Sequence, residues 1–144
     1  MRTVTDLLHT KGSAVWSIGP AATVYEALEQ MDAKDVGALL VLDQGEVVGI
    51  FSERDYARKV VLQGRTSRET PVGDVMTRRV VYVRPDQSLD DCMALMTSKR
   101  IRHLPVMDAG QLAGLISIGD VVKSIISDQE FMIEQLEKYI TGQR

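Results

Sequence analysis

The chain is poor in the residues from which reactive centres are usually built. Its 144 residues include one cysteine, Cys92, and two histidines, His9 and His103. A lone cysteine excludes an internal disulfide and fits a reducing compartment. The histidines lie far apart, and no H-x-x-x-H or C-x-x-C spacing offers a metal site. Nucleophile elbow and Walker motifs are missing too, so neither catalysis nor a bound metal is expected. Without an N-terminal apolar segment or a run able to span a bilayer, the chain reads as a soluble cytoplasmic protein with no membrane partner.

A large excess of charge is also lacking. The formal net charge of −3 argues against nucleic-acid binding as the main role. The charge is unevenly spread, however: eleven of the seventeen Lys and Arg residues fall between Arg54 and Arg102, against six acids. This middle region suits an anionic small molecule, although a solvated basic face would look the same.

What is present is a repeat. The stretch GLISIGD (114–120) matches GIFSERD (49–55), and the 65-position offset between Gly49 and Gly114 aligns residues 15–60 with 80–125 without a gap. Pro20 then meets Pro85, Met31 meets Met96, Val41 meets Val106, Gly45 meets Gly110 and Asp55 meets Asp120. With 44% apolar residues the chain can bury one sizeable core or two small ones.

Period and punctuation give the elements of each repeat. Residues 15–18 and 80–83 read as short strands ended by Gly19-Pro20 and Arg84-Pro85. A helix follows, with Val24, Ala27, Leu28 and Met31 on one face and Leu89, Cys92, Met93 and Met96 on its counterpart. Thr23-x-x-Glu26 and Ser88-x-x-Asp91 read as their N-terminal capping boxes. Cys92 and the methionines are therefore expected in the core. ALLVLD and HLPVMD, joined through Gln44-Gly45 and Ala109-Gly110 to EVVGIFS and QLAGLIS, read as hairpins. Second helices are expected over 53–62 and 118–126, giving a βαββα unit twice.

This duplicated unit resembles the cystathionine β-synthase (CBS) domain, and the pair resembles a Bateman module of the stand-alone bacterial and plant-organelle type. The resemblance rests on Met76-Thr77, on Pro85 followed by a helix, on RIRHLPVMD (100–108) and on the two Gly-x-x-Ser-x-x-Asp ends. It implies an α+β fold of tandem repeats packed through their sheets about a pseudo-twofold axis, plus a C-terminal helix. The expected divisions are 1–63 for the first repeat with the N-terminal segment, 64–73 for a linker, 74–127 for the second repeat and 128–144 for the last helix.

The resemblance further implies two clefts for adenosyl compounds such as AMP, ADP, ATP, NAD(H) or S-adenosylmethionine. The first would be lined by Lys11, Ile18, Ala38, Gly49, Ser52, Arg54 and Asp55. The second would use Val83, Arg102, His103, Pro105, Gly114, Ser117, Gly119 and Asp120. Each glycine would let a ligand approach the strand, each serine would open the helix, and each aspartate would take the ribose diol. A carboxylate suits that task, because charge-assisted hydrogen bonds from two hydroxyls contribute about 1.5–3 kcal/mol each. The same Ser-x-x-Asp spacing is also a capping box, and both roles can coexist.

The repeats differ in cation placement. Arg102 and His103 align with Gly37 and Ala38, while Arg54 aligns with Gly119. The two clefts therefore need not bind alike. Arg78 and Arg79 are further candidate phosphate partners, and Trp16, aligned with Val81, is expected to pack in the core. Phe131, Met132, Leu136, Tyr139 and Ile140 form an apolar stripe expected to be buried against the chain's own core or in a homodimer. The function this reading supports is an adenine-nucleotide sensor acting on an effector protein in trans, and the competing one is a constitutive interaction module with vestigial clefts.

Overall fold

The computed structural model describes residues 2–142. Its elements are α1 (Val4–Lys11), β1 (Ser17–Ile18), α2 (Val24–Lys34), β2 (Ala38–Asp43), β3 (Glu46–Ser52) and α3 (Glu53–Asp55), which runs into a π-helical segment, Tyr56–Val61. Then come α4 (Val72–Val75), α5 (Leu89–Lys99), β4 (His103–Asp108), β5 (Gln111–Ser117) and α6 (Ile118–Thr141). Two compact units form, one of residues 14–81 and one of the residues up to 13 together with those from 82 onward.

Both hairpins are fixed by the same local chemistry. Gln44 and Gly45 have φ of 52° and 81°, and Ala109 and Gly110 have 51° and 80°, so both central residues of each two-residue turn are left-handed. That turn matches the right-handed twist of the flanking strands. Each hairpin also carries a bulge one step before its inner glycine: Val41 pairs Gly49 but Leu42 pairs Val47, and Val106 pairs Gly114 but Met107 pairs Leu112. The extra residue re-aims the strand that leads into the following helix.

Each unit has its own core. In the 14–81 unit, Val24, Ala27 and Met31 of α2 pack with Leu39, Val41, Phe51, Val60 and Val72. In the other unit Leu89, Cys92 and Met96 of α5 are buried, as are Leu104, Val106, Ile116, Val4 and Leu7. The Cys92 thiol is fully enclosed, and burial pushes its pKa up to about 11, which keeps it unreactive. The fold is thus a tandem pair of small α+β repeats with a helix at the C-terminal end.

Several elements depart from the sequence reading. Of 15–18 only Ser17 and Ile18 pair, parallel to Leu40 and Val41, and of 80–83 only Val83 bridges, to Val106. The helix expected over 53–62 widens after Asp55, where the Leu62 amide reaches back to the Ala57 carbonyl, five residues away. The helix at 118 does not stop at 126. No glycine or proline follows Gly119 before Gly142, Asp128 is held by Arg2 Nε at 2.7 Å, and α6 runs on to Thr141. Trp16 is not core: it is 39% exposed, and Lys34 Nζ lies 4.3 Å from its ring centre. It precedes the short β1, and only its carbonyl, which accepts from Leu40 N at 3.2 Å, meets β2.

The N-terminal segment, grouped with the first repeat in the sequence reading, packs instead with the residues from 82 onward. Thr3 and Asp6 cap α1 reciprocally, and Val4 N donates to Gln87 O at 2.9 Å and Leu89 N to Arg2 O at 3.0 Å. The 14–81 unit repeats this with α4, where Val72 N donates to Ala22 O at 2.8 Å and Val24 N to Thr70 O at 2.9 Å. Val4, Leu7 and Leu8 thereby correspond to Val72, Val75 and Met76.

This correspondence explains the two strand glycines. A Cβ at Gly49 would stand 2.6 Å from Met76 Sδ and 2.9 Å from the Thr77 carbonyl oxygen, and one at Gly114 would stand 2.8 Å from Leu8 Cδ2. Close approach is indeed the reason for glycine, but the approaching group belongs to the chain. Gly49→Ala should therefore lower the urea midpoint by the equivalent of about 1–3 kcal/mol without changing the slope, since it meets backbone. Gly114→Ala should cost less, because a leucine methyl can rotate aside. Equal costs in urea titrations would contradict this.

Candidate functional site

At the end of each hairpin a serine and an aspartate close on one another. Ser117 caps α6: its Oγ accepts from Asp120 N at 3.1 Å, and its own amide donates to Asp120 Oδ2 at 2.9 Å. Ser52 and Asp55 do the same at 3.3 and 3.0 Å. Both Ser-x-x-Asp motifs are therefore capping boxes, whatever else they do.

The surroundings of the two carboxylates differ. Asp55 is buried, and besides the Ser52 amide it accepts from Ser52 Oγ at 3.0 Å, from Thr77 Oγ1 at 2.9 Å and from Lys59 Nζ at 2.9 Å. Asp120 is more open and takes one ammonium, Lys11 Nζ, at 2.6 Å on Oδ2. Lys11 also donates to the Leu115 carbonyl at 2.6 Å.

Burial opposes ionisation of Asp120, but the Lys11 ammonium and the Ser117 donors outweigh it and hold its pKa below the ordinary carboxylate value. At His103, burial and then the Lys11 charge push the pKa below the ordinary histidine value, while Asp120 pulls the other way. Lys11, His103 and Asp120 are thus electrostatically coupled, with Arg102 adding a further positive charge against His103.

His103 pairs with Ser117 at the open end of the β4–β5 ladder, and Pro105 pairs with Leu115 and accepts from the Val83 amide at 3.0 Å. The Arg102 carbonyl receives the Ile118 amide at 2.8 Å, and Gly119 lies exposed in the first turn of α6. In the 14–81 unit Ala38 pairs with Ser52, Ile18 pairs with Val41, and Arg54 is exposed beside Asp55. Arg78 donates to the Gly73 carbonyl at 3.0 Å.

Lys11, expected in the first cleft, lies instead on Asp120, because α1 docks on residues 85–89. Sequence reasoning missed this, and with it Thr77 and Lys59 on Asp55. The available signals were the Lys four residues after Asp55 and the match of Val4-x-x-Leu7-Leu8 to Val72-x-x-Val75-Met76.

The model of the CBS domain matches residues 4–62 and again 72–127. The chain belongs to the CBS-domain family. It is 39% identical to the mitochondrial CBS domain-containing protein CBSX3 of Arabidopsis thaliana, over 97% of this chain and 72% of that protein. To the CBS domain-containing protein YhcV of Bacillus subtilis it is 35% identical over 90% of this chain and 89% of that one. A structure of a protein with CBS domains from Burkholderia ambifaria superposes with a TM-score of 0.86 at 53% identity, covering 89% of this chain and 96% of that chain. CBS-pair proteins are generally regulatory modules rather than enzymes, and commonly hold adenosyl ligands. No helix among the described residues is long and apolar enough to cross a membrane.

The pKa shifts of this CBS repeat fix the sign of its pH response. A lowered His103 pKa means that the unfolded chain binds a proton below about pH 6.5 that the folded chain refuses, so stability falls on acidification through that range. Asp120 contributes stability above the unfolded value of 3.8, and this is lost as pH falls through its lowered folded value. Thermal melts should show a drop between pH 7 and pH 5 that is smaller in His103→Gln. An unchanged drop in that variant would show that His103 is not its source.

Proposed function

We propose that the protein is a regulatory module that binds an adenine nucleotide, AMP, ADP, ATP or NAD(H), and passes its state to an effector protein in trans. The observation that carries this reading is the corner at the start of α6. There an ionised aspartate, one of whose carboxylate oxygens has no partner among the described residues, sits beside Lys11, Arg102 and His103. A diol needs an acceptor and a phosphate needs cations, and this corner offers both. Ser117 caps and Asp120 binds, so the two roles of the motif coexist. The buried free thiol of Cys92 goes with a cytoplasmic setting.

Calorimetry with the four compounds tests the reading. Micromolar binding is expected, and Asp120→Ala should weaken it by roughly 2–4 kcal/mol, about thirty- to a thousandfold. A 2′,3′-dideoxynucleotide should bind both proteins almost equally. Should Asp120→Ala keep full affinity and only melt earlier, Asp120 is a cap and nothing more.

A second reading, an interaction surface, is favoured by α6. Phe131, Met132, Ile133, Leu136, Tyr139 and Ile140 are all exposed, Tyr139 by 85%, so the chain's own core does not cover the stripe expected to be buried. A homodimer accounts for such a face. Light scattering should then give about twice the 16.0 kDa chain mass, and replacing Leu136 and Ile140 by Glu should return a monomer. A wild-type monomer at micromolar concentration would contradict the dimer.

A further inference from the structure

We propose that the chain holds one adenine nucleotide rather than two: the Asp120 corner takes ligand with Lys11 as its movable counter-ion, and the Asp55 corner is a closed structural knot. This rests on the nucleotide reading above and sharpens it.

The two oxygens of a carboxylate offer about four lone-pair positions. At Asp55 four donors occupy them: the Ser52 amide and hydroxyl on Oδ2, and Thr77 Oγ1 and Lys59 Nζ on Oδ1. The side chain is 8% exposed. A ribose diol would have to expel two of these donors from a buried site, leaving them unpaired.

Asp120 is built differently although the motif is the same. In the second repeat Thr77 corresponds to His9 and Lys59 to Ser124, and neither donates to Asp120. Its side chain is 27% exposed, and the Ser117 amide and Lys11 both donate to Oδ2. Oδ1 has no partner among the described residues. Lys11 is the last residue of α1 and is itself 33% exposed in its side chain, so its ammonium can turn from the Leu115 carbonyl to an incoming anion. A ligand with a vicinal diol next to an acidic group fits this pair, and one without the acid leaves Lys11 where it is.

Calorimetric titration of the full chain with AMP and with adenosine tests the proposal. One AMP per chain is expected in the wild type, and Asp120→Asn, which keeps the shape of the side chain, should weaken it about thirtyfold or more. Lys11→Met should weaken AMP by roughly tenfold and adenosine by less than about threefold, since a charge-assisted contact to phosphate is removed. The double variant Thr77→Val, Lys59→Met should leave the affinity of the Asp120 site unchanged, because the residues it changes serve Asp55. Two AMP per chain, a remaining site in Asp120→Asn, or equal losses for AMP and adenosine in Lys11→Met would each overturn the proposal while leaving nucleotide binding intact. No binding of either compound to the wild type would reject the nucleotide reading itself, and this proposal with it.

Discussion

An aspartate at the third position of a helix, tied to the serine that ends the preceding strand, is the interaction on which each repeat depends. Ser52 with Asp55 and Ser117 with Asp120 turn a hairpin edge into a helix start, and so fix the direction in which the helix leaves the sheet. Four amides at a helix start need partners, and an acid there also meets the positive end of the helix dipole. The inner glycines, the bulges and the docked segments that begin at Val4 and Val72 are arranged around this corner. Because the carboxylates are partly or fully removed from water, whatever donates to them decides what else they can do.

That is why two corners with the same motif diverge. In the 14–81 unit a hydroxyl and an ammonium complete the carboxylate, and it becomes part of the core boundary. In the other unit a single lysine from α1 stands in, on a helix end, and the carboxylate stays partly open. An ion pair this close to solvent adds little to stability, which suits the exchange for a ligand proposed above. The corner is therefore repeated in its backbone hydrogen bonds and asymmetric in chemistry.

Much of this was legible in the sequence because it is local. The 65-residue offset, the left-handed turns at Gln44-Gly45 and Ala109-Gly110, and the apolar faces of α2 and α5 all follow from neighbours in the chain. The long-range pairings were not legible. Lys11 reaches Asp120 across 109 positions, and α1 docks on residues 85–89 largely through backbone bonds, so that only the match of Val4-x-x-Leu7-Leu8 to Val72-x-x-Val75-Met76 pointed to it. The same applies to Trp16, whose β-rich surroundings suggested a core strand, whereas the strand begins one residue later and leaves the ring beneath Lys34. The π-helical turn after Asp55 likewise has no mark in the residues that form it. For α6, the apolar stripe was plain from its period, but its exposure depends on what the rest of the chain leaves uncovered.

The central claim is that the carboxylate of Asp120 and the ammonium of Lys11 exchange their mutual contact for a ribose and its phosphate. A crystal structure of the protein grown with AMP tests it most directly. The account predicts both ribose hydroxyls within hydrogen-bonding distance of Asp120, with Lys11 Nζ moved from the Leu115 carbonyl to the phosphate and Asp55 still closed by Thr77 and Lys59. AMP bound elsewhere, or bound with the 2.6 Å Lys11–Asp120 contact and the Leu115 bond both intact, would contradict it.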